Sequence, residues 1–394
     1  MPTESTFLLA GLLVVAAAVG WLFARLPDFR RDEPSESSIG ADYLRGLNLV
    51  LNRQTDEALE LFVQMARVDD ETLETHFALG HLFRRRGEVD RAIRVHQNLL
   101  ARPNLNETQR HQALFSLASD YLGAGLFDRA EKLFTDLRSS PTMAESALRS
   151  LVDIYERQRD WNKAIEARRR LDSRIGEKSV EVAHYHCELA ESARLDGDMA
   201  SARLHLRNAR RTASGTLRGG LIRAAVASEE GEHSRAVALY KRLLTADRRL
   251  MAEILPLFEA ACRETGRDGE IERYLEGLIG KDGSAKRDIA YAAIVSGLEQ
   301  APLLRDCVEE FLLHNDTLAP LIDIEHLKAL PPDKRQASIH RICGGLRRLA
   351  MSGSRFRCTD CGYGTKRLLW RCPSCKSWES IRPLQVFQFA EMVA

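Results

Sequence analysis

The sequence predicts an all-α fold: helical hairpins stacked into a superhelical solenoid, with an N-terminal transmembrane helix and a small C-terminal zinc knuckle. Three observations predict it. Pairs of small residues recur at a fixed spacing through the middle of the chain, a charge-free apolar run stands near its start, and two Cys-x-x-Cys pairs stand near its end.

The apolar run comes first in the chain. Phe7 to Ala24 (FLLAGLLVVAAAVGWLFA) carries no charge, and eighteen residues at about 1.5 Å each span roughly 27 Å, enough for a bilayer core. Glu4 precedes it, and Arg25, Arg30 and Arg31 follow. The Lys/Arg excess marks the cytoplasmic flank, so the bulk of the chain is expected inside the cell. A cleaved signal peptide would need a basic leader that Met1 to Thr6 lacks. A buried core helix is the other alternative. Residues 1–26 are therefore assigned to an anchor and 27–40, rich in Ser, Glu and Pro, to a linker.

The solenoid is assigned to residues 41–352. Gly46 and Ala58 are twelve apart, and the pair recurs as Gly80 and Ala92, Ala118 and Ala130, Val152 and Ala164, Ala190 and Ala202, and Ala224 and Ala236. The second members advance by 34, 38, 34, 38 and 34 residues. A 34-residue helix–turn–helix period is the signature of tetratricopeptide repeats. Small residues at these points let the two helices of a hairpin approach closely. Bulky residues follow in phase (Leu49, Phe83, Tyr121 and Tyr155, then Phe62, Phe134, Leu206 and Tyr240), and Gly87, Gly125, Gly197 and Gly231 fall at the turns. The longer advances imply longer loops, one at Pro103 to Glu107. A weaker seventh unit contains Cys262 and Ile271, further helices are expected at 286–298 and 302–314, and a last one at Ser338 to Leu349.

The composition suits a helical scaffold. Of 394 residues 44% are hydrophobic and 29% charged, and the net charge of +1 creates no global field for a polyanion. The runs Arg84 to Arg86, Arg168 to Arg170 and Arg210 to Arg211 read first as solvated faces, with partner binding as the alternative. If the first helix of each repeat lines an inner face, His81, Arg84, Ser119 and Glu156 point into the groove and are the candidate partner-binding residues. His184, His186 and Cys187 lie close together, but residues two apart on a helix diverge, so a shared metal is not expected. No phosphate loop, nucleophile elbow or His-Glu-x-x-His helix occurs; no catalytic residue is assigned.

The second assigned site is at the end, in residues 353–384. Cys358 and Cys361 form one pair, Cys372 and Cys375 the other, with Gly362 to Arg371 between them. Two such pairs define a closed tetrahedral thiolate site, structural rather than hydrolytic, with zinc the default metal and iron the rival. In small modules zinc binding is worth about 10–16 kcal/mol, so a knuckle this size depends on it. Trp370 and Trp378 flank the second pair; they shield the site, pack it against the repeats or meet a partner. Arg355, Arg357, Lys366, Arg367, Arg371, Lys376 and Arg382 offset the thiolate charge or, as in some zinc ribbons, bind nucleic acid. The tail, 385–394, is left as a strand, a docking peptide or disordered.

The order of anchor, repeats and knuckle resembles the lipopolysaccharide assembly protein B family across essentially the whole chain. The sharpest likeness is Cys358-x-x-Cys361-Gly362 with Trp370-Arg-Cys372-Pro373-x-Cys375-x-x-Trp378, which looks like that family's rubredoxin-like knuckle. The resemblance implies a non-enzymatic adaptor on the cytoplasmic side of the inner membrane. It implies four partners: a membrane-bound AAA+ zinc protease, the lipid A pathway deacetylase it degrades, an inner-membrane protein that senses lipopolysaccharide, and the membrane itself. A homodimer is also expected, and nucleic acid is not. An iron redox protein and a zinc-ribbon nucleic-acid binder remain the alternatives.

Overall fold

The computed structural model describes residues 36–384 apart from 53, 69–72, 268, 316–317 and 319–321, together with 14, 15 and 17. The expected anchor at Phe7 to Ala24 lies outside the described residues except for these three, which are helical, and so does the tail from 385 on. Among the described residues no helix is long and apolar enough to cross a membrane.

The described chain is helical until residue 355. It runs α1 (Glu36–Leu51), α2 (Thr55–Val68), α3 (Leu73–Arg85), α4 (Val89–Leu100), α5 (Glu107–Gly123), α6 (Phe127–Asp136), α7 (Ala144–Gln158), α8 (Trp161–Ile175), α9 (Glu181–Leu195), α10 (Met199–Thr212), α11 (Leu217–Glu229) and α12 (His233–Ala246). Then follow α13 (Met251–Glu264), α14 (Gly269–Lys281), α15 (Ala285–Ser296), α16 (Pro302–Leu313), α17 (Ile324–Ala329) and α18 (Pro332–Ser352). The chain forms two compact units, Met1–Ala147 and Leu148–Ala394, divided within α7.

The small-residue spacing does what close packing requires. Ala58, Ala92, Ala130, Ala164, Ala202 and Ala236 are all 0% exposed. A Cβ placed on Gly46 would lie 2.5 Å from the Phe62 ring, and one on Gly80 2.5 Å from the His96 ring. The four expected turn glycines have φ between 74° and 82°. Where the fourth hairpin lacks a glycine, Arg159 adopts φ 57° in its place. The longer loop before α5 ends in a capping box: the Asn106 side chain accepts from the Gln109 amide and the Gln109 side chain from that of Asn106.

Two positions of the bulky row are polar. His96 replaces the apolar residue between Phe62 and Phe134, and its imidazole Nδ1 reaches the buried Asp120 carboxylate, which also takes Arg84 Nη1 at 2.6 Å. Arg168 stands between Phe134 and Leu206 and donates to Asp172 and to Ser179, each at 2.9 Å. Arg84 thus ties α3 to α5, and Arg168, whose Nη2 lies 3.4 Å from Glu181, ties α8 to the start of α9.

The last helix starts at Pro332, six residues before the expected Ser338, because Pro332 at the first turn needs no amide partner. After it the chain becomes a three-stranded antiparallel sheet, β1 (Phe356–Cys358), β2 (Gly364–Thr365) and β3 (Ile381–Pro383), in the order β2-β1-β3. Its core is Phe356, Cys358, Cys372 and Ile381.

Candidate metal centre

Each Cys pair sits on a tight turn. Cys358 ends β1, and Gly362, just after Cys361, turns the chain with φ 77°. The second turn is built alike, but Lys376 after Cys375 takes φ 64° in place of a glycine. The Gly362 amide donates to the Cys358 carbonyl at 3.0 Å and that of Lys376 to the Cys372 carbonyl at 2.9 Å, so both turns close identically.

The four sulfurs all lie within 4.8 Å of one another. Cys358 and Cys375 Sγ are 3.6 Å apart, as are Cys361 and Cys372 Sγ. A tetrahedron with metal–sulfur bonds of about 2.3 Å has edges of about 3.8 Å, so the donor set and spacing fit one ion. Burial opposes ionisation of Cys358, but the Ser380 hydroxyl and the amides of Cys361 and Asp360 outweigh it and bring the thiol down to about 6. Cys358 and Cys372 are buried, and Cys361 and Cys375 are exposed. Four thiolates fill the coordination shell, and such a centre holds structure together rather than binding substrate.

The knuckle is fastened to the helices of its own unit. Trp378 stacks on His184 (centroids 5.0 Å apart, planes 8° apart) and meets Tyr185 and Trp161 edge-on. Arg218 and Arg371 lie over its ring at 6.0 and 5.8 Å. Arg371 Nη2 is 2.5 Å from Glu156, whose other oxygen accepts from the Tyr185 hydroxyl at 2.6 Å. Lys376 Nζ is 2.6 Å from Asp153. Glu379 accepts the Arg218 backbone amide at 3.2 Å, Arg355 pairs with Glu253, and Arg382 lies 3.7 Å from Asp247. Arg355, Arg371, Lys376 and Arg382 thus face carboxylates of the helical repeats rather than serving the thiolates alone.

The four Cys are brought together as expected. Of the candidate partner residues, Glu156 is 9% exposed at its side chain and is taken up by Arg371. Arg84 is bound to Asp120, Ser119 donates to the Phe115 carbonyl at 2.8 Å, and His81 is exposed. His184 and His186 diverge, the first to Trp378 and the second to His205. Sequence reasoning missed Asp153, Glu253 and Asp247 as docking carboxylates. Each precedes its partner in the knuckle by more than a hundred residues, 102 for Glu253 and 223 for Asp153, a separation no local pattern reveals.

Helical hairpins closed by a four-thiolate ribbon define a tetratricopeptide-repeat scaffold with a metal-binding module. A family model described as the rubredoxin metal binding domain matches residues 356–383, and a tetratricopeptide repeat model matches 75–110. The chain is 32% identical to lipopolysaccharide assembly protein B of Escherichia coli over 378 residues, covering 95% of this chain and 97% of that one. It is likewise 32% identical to the protein of that name from Haemophilus influenzae, with the same coverage. The chain belongs to the lipopolysaccharide assembly protein B family. Among solved structures, it is similar to a tetratricopeptide repeat protein from Parabacteroides merdae (16% identity, 69% of this chain and 99% of that one, TM-score 0.36).

Proposed function

We propose that this chain is a non-catalytic adaptor, anchored in the inner membrane with its bulk in the cytoplasm, that restrains lipopolysaccharide synthesis. It delivers the lipid A pathway deacetylase to a membrane-bound AAA+ protease for degradation, and an inner-membrane lipopolysaccharide sensor restrains it. The observation that carries this reading is full-length similarity to proteins named for lipopolysaccharide assembly. The fastening of the ribbon onto α7, α9 and α11 supports it, because a metal that fixes a docking scaffold suits an adaptor. The charge-free run at Phe7 to Ala24 supports tethering, which concentrates the adaptor beside a membrane protease.

The test is Cys372→Ser in cells. The variant should lose its metal, and the deacetylase should accumulate; normal deacetylase levels would overturn the reading. Removing residues 7–24 should weaken regulation. Zinc is the proposed metal, and protein isolated without added metal should be colourless, whereas visible absorbance would indicate iron and favour the redox alternative.

A further inference from the structure

Between α10, α11 and the start of α12 lies a pocket of about 250 Å³ whose wall is dominated by arginine. Arg203, Arg207 and Arg210 descend one face of α10 at helical spacing, Arg223 comes from α11 and Arg235 from α12. Glu230 is the lining carboxylate. It pairs with Arg203 at 2.8 Å, and Arg235 pairs with Glu232 at 2.6 Å. Among the described residues Arg207 and Arg210 have no carboxylate in ion-pair range, and Arg223 uses its Nε on the Gly219 carbonyl at 3.2 Å.

A solvated helix face normally mixes signs, because like charges four residues apart repel. Here repulsion is retained in a chain whose net charge is only +1. Arg223 is half-buried, and burial, followed by the charge of Arg210, pulls its pKa below the ordinary arginine value. An anion in the pocket would relieve both costs. All five cations are arginine, whose planar fork matches phosphate oxygens two at a time. The remaining wall is Leu206, Val226 and Ala227, so the space suits a compact head group better than an extended chain.

We propose that this pocket binds a compact phosphorylated anion, a phosphate or diphosphate group held by Arg207, Arg210 and Arg223. The ligand is either a soluble phosphorylated metabolite or the head group of a phosphorylated lipid. The full chain, metal-loaded, is titrated calorimetrically with inorganic pyrophosphate at physiological salt. Saturable one-to-one binding is expected. Arg207→Gln and Arg210→Gln should each weaken it about tenfold, and Arg211→Gln, at an exposed position outside the pocket, should leave it unchanged. The three substituted residues are exposed, and unchanged melting and metal content check that each variant is folded.

Two further arms separate the sources. Binding to phosphatidic acid vesicles in excess of that to neutral phosphatidylcholine vesicles, and displaced by pyrophosphate, points to a lipid head group, whereas pyrophosphate binding with no such excess points to a soluble ligand; either supports the proposal. Absence of saturable pyrophosphate binding overturns it. So does an Arg211→Gln effect equal to that of Arg210→Gln, which would mean a diffuse field. Tighter binding of a poly-glutamate peptide that displaces pyrophosphate also overturns it, in favour of an acidic protein partner.

Discussion

Lys376 holds a left-handed backbone, φ 64°, and places its ammonium 2.6 Å from the Asp153 carboxylate. An L-residue in this region costs about 1 kcal/mol relative to glycine, and a half-exposed ion pair returns about 0.2–1 kcal/mol. Lys376 is thus kept where glycine would be cheaper, and what it adds is a tie to α7.

The first prediction separates these effects. Asp153→Asn should destabilise the docked knuckle by less than about 1 kcal/mol. Adding Lys376→Gly to that variant should restore stability, since strain is then removed with no ion pair left to lose. Denaturant melts of the two variants check it; a double variant less stable than Asp153→Asn would show that the lysine backbone is not strained.

A second prediction concerns Asp120. Its carboxylate is 0% exposed and carries both Arg84 and His96. Asp120→Asn removes the charge that two basic groups share, and should cost about 3 kcal/mol, the low end for breaking a buried pair, because Arg84 retains some exposure to water. Hydrogen exchange over 73–136 should quicken, with little change in metal content.

The third prediction concerns pH. His184 is brought down to about 4, by burial first and by the nearby Arg218 charge second. Its Nδ1 has no hydrogen-bond partner and its ring is stacked on Trp378. The folded protein therefore holds it neutral, whereas the unfolded chain takes up a proton near 6.5. Stability present above 6.5 should be lost as pH falls towards about 4, with no further loss from this group below that. His184→Gln should flatten the dependence of the melting temperature on pH over that window. Comparison with the parent at each pH removes the contribution of thiolate protonation, and equal slopes in the two proteins would overturn the prediction.

Much of this architecture was legible in the sequence, because it is dictated by short-range constraints. Backbones approach only where side chains are small, which wrote the twelve-residue pairs. Thiolate turns need two intervening residues, which wrote the knuckle. What stayed hidden is pairing across distance. Asp120 answers Arg84 from 36 residues away and His96 from 24, and Arg371 answers Glu156 from 215. The polar His96 and Arg168 break the bulky row, and those two interruptions were the available signals of internal charged ties. Glu156 was picked out as facing a partner, and the structure places the chain's own ribbon against it.

Tandem hairpins touch mainly their sequence neighbours, so an array of them bends like a spring. The ribbon spans several consecutive hairpins at once, from Asp153 and Glu156 through His184 and Arg218 to Asp247 and Glu253. It therefore works as a splint. With the ion in place that stretch is stiff; with the thiolates released, the same hairpins become compliant, and anything that grips them must first offset the entropy lost in ordering them.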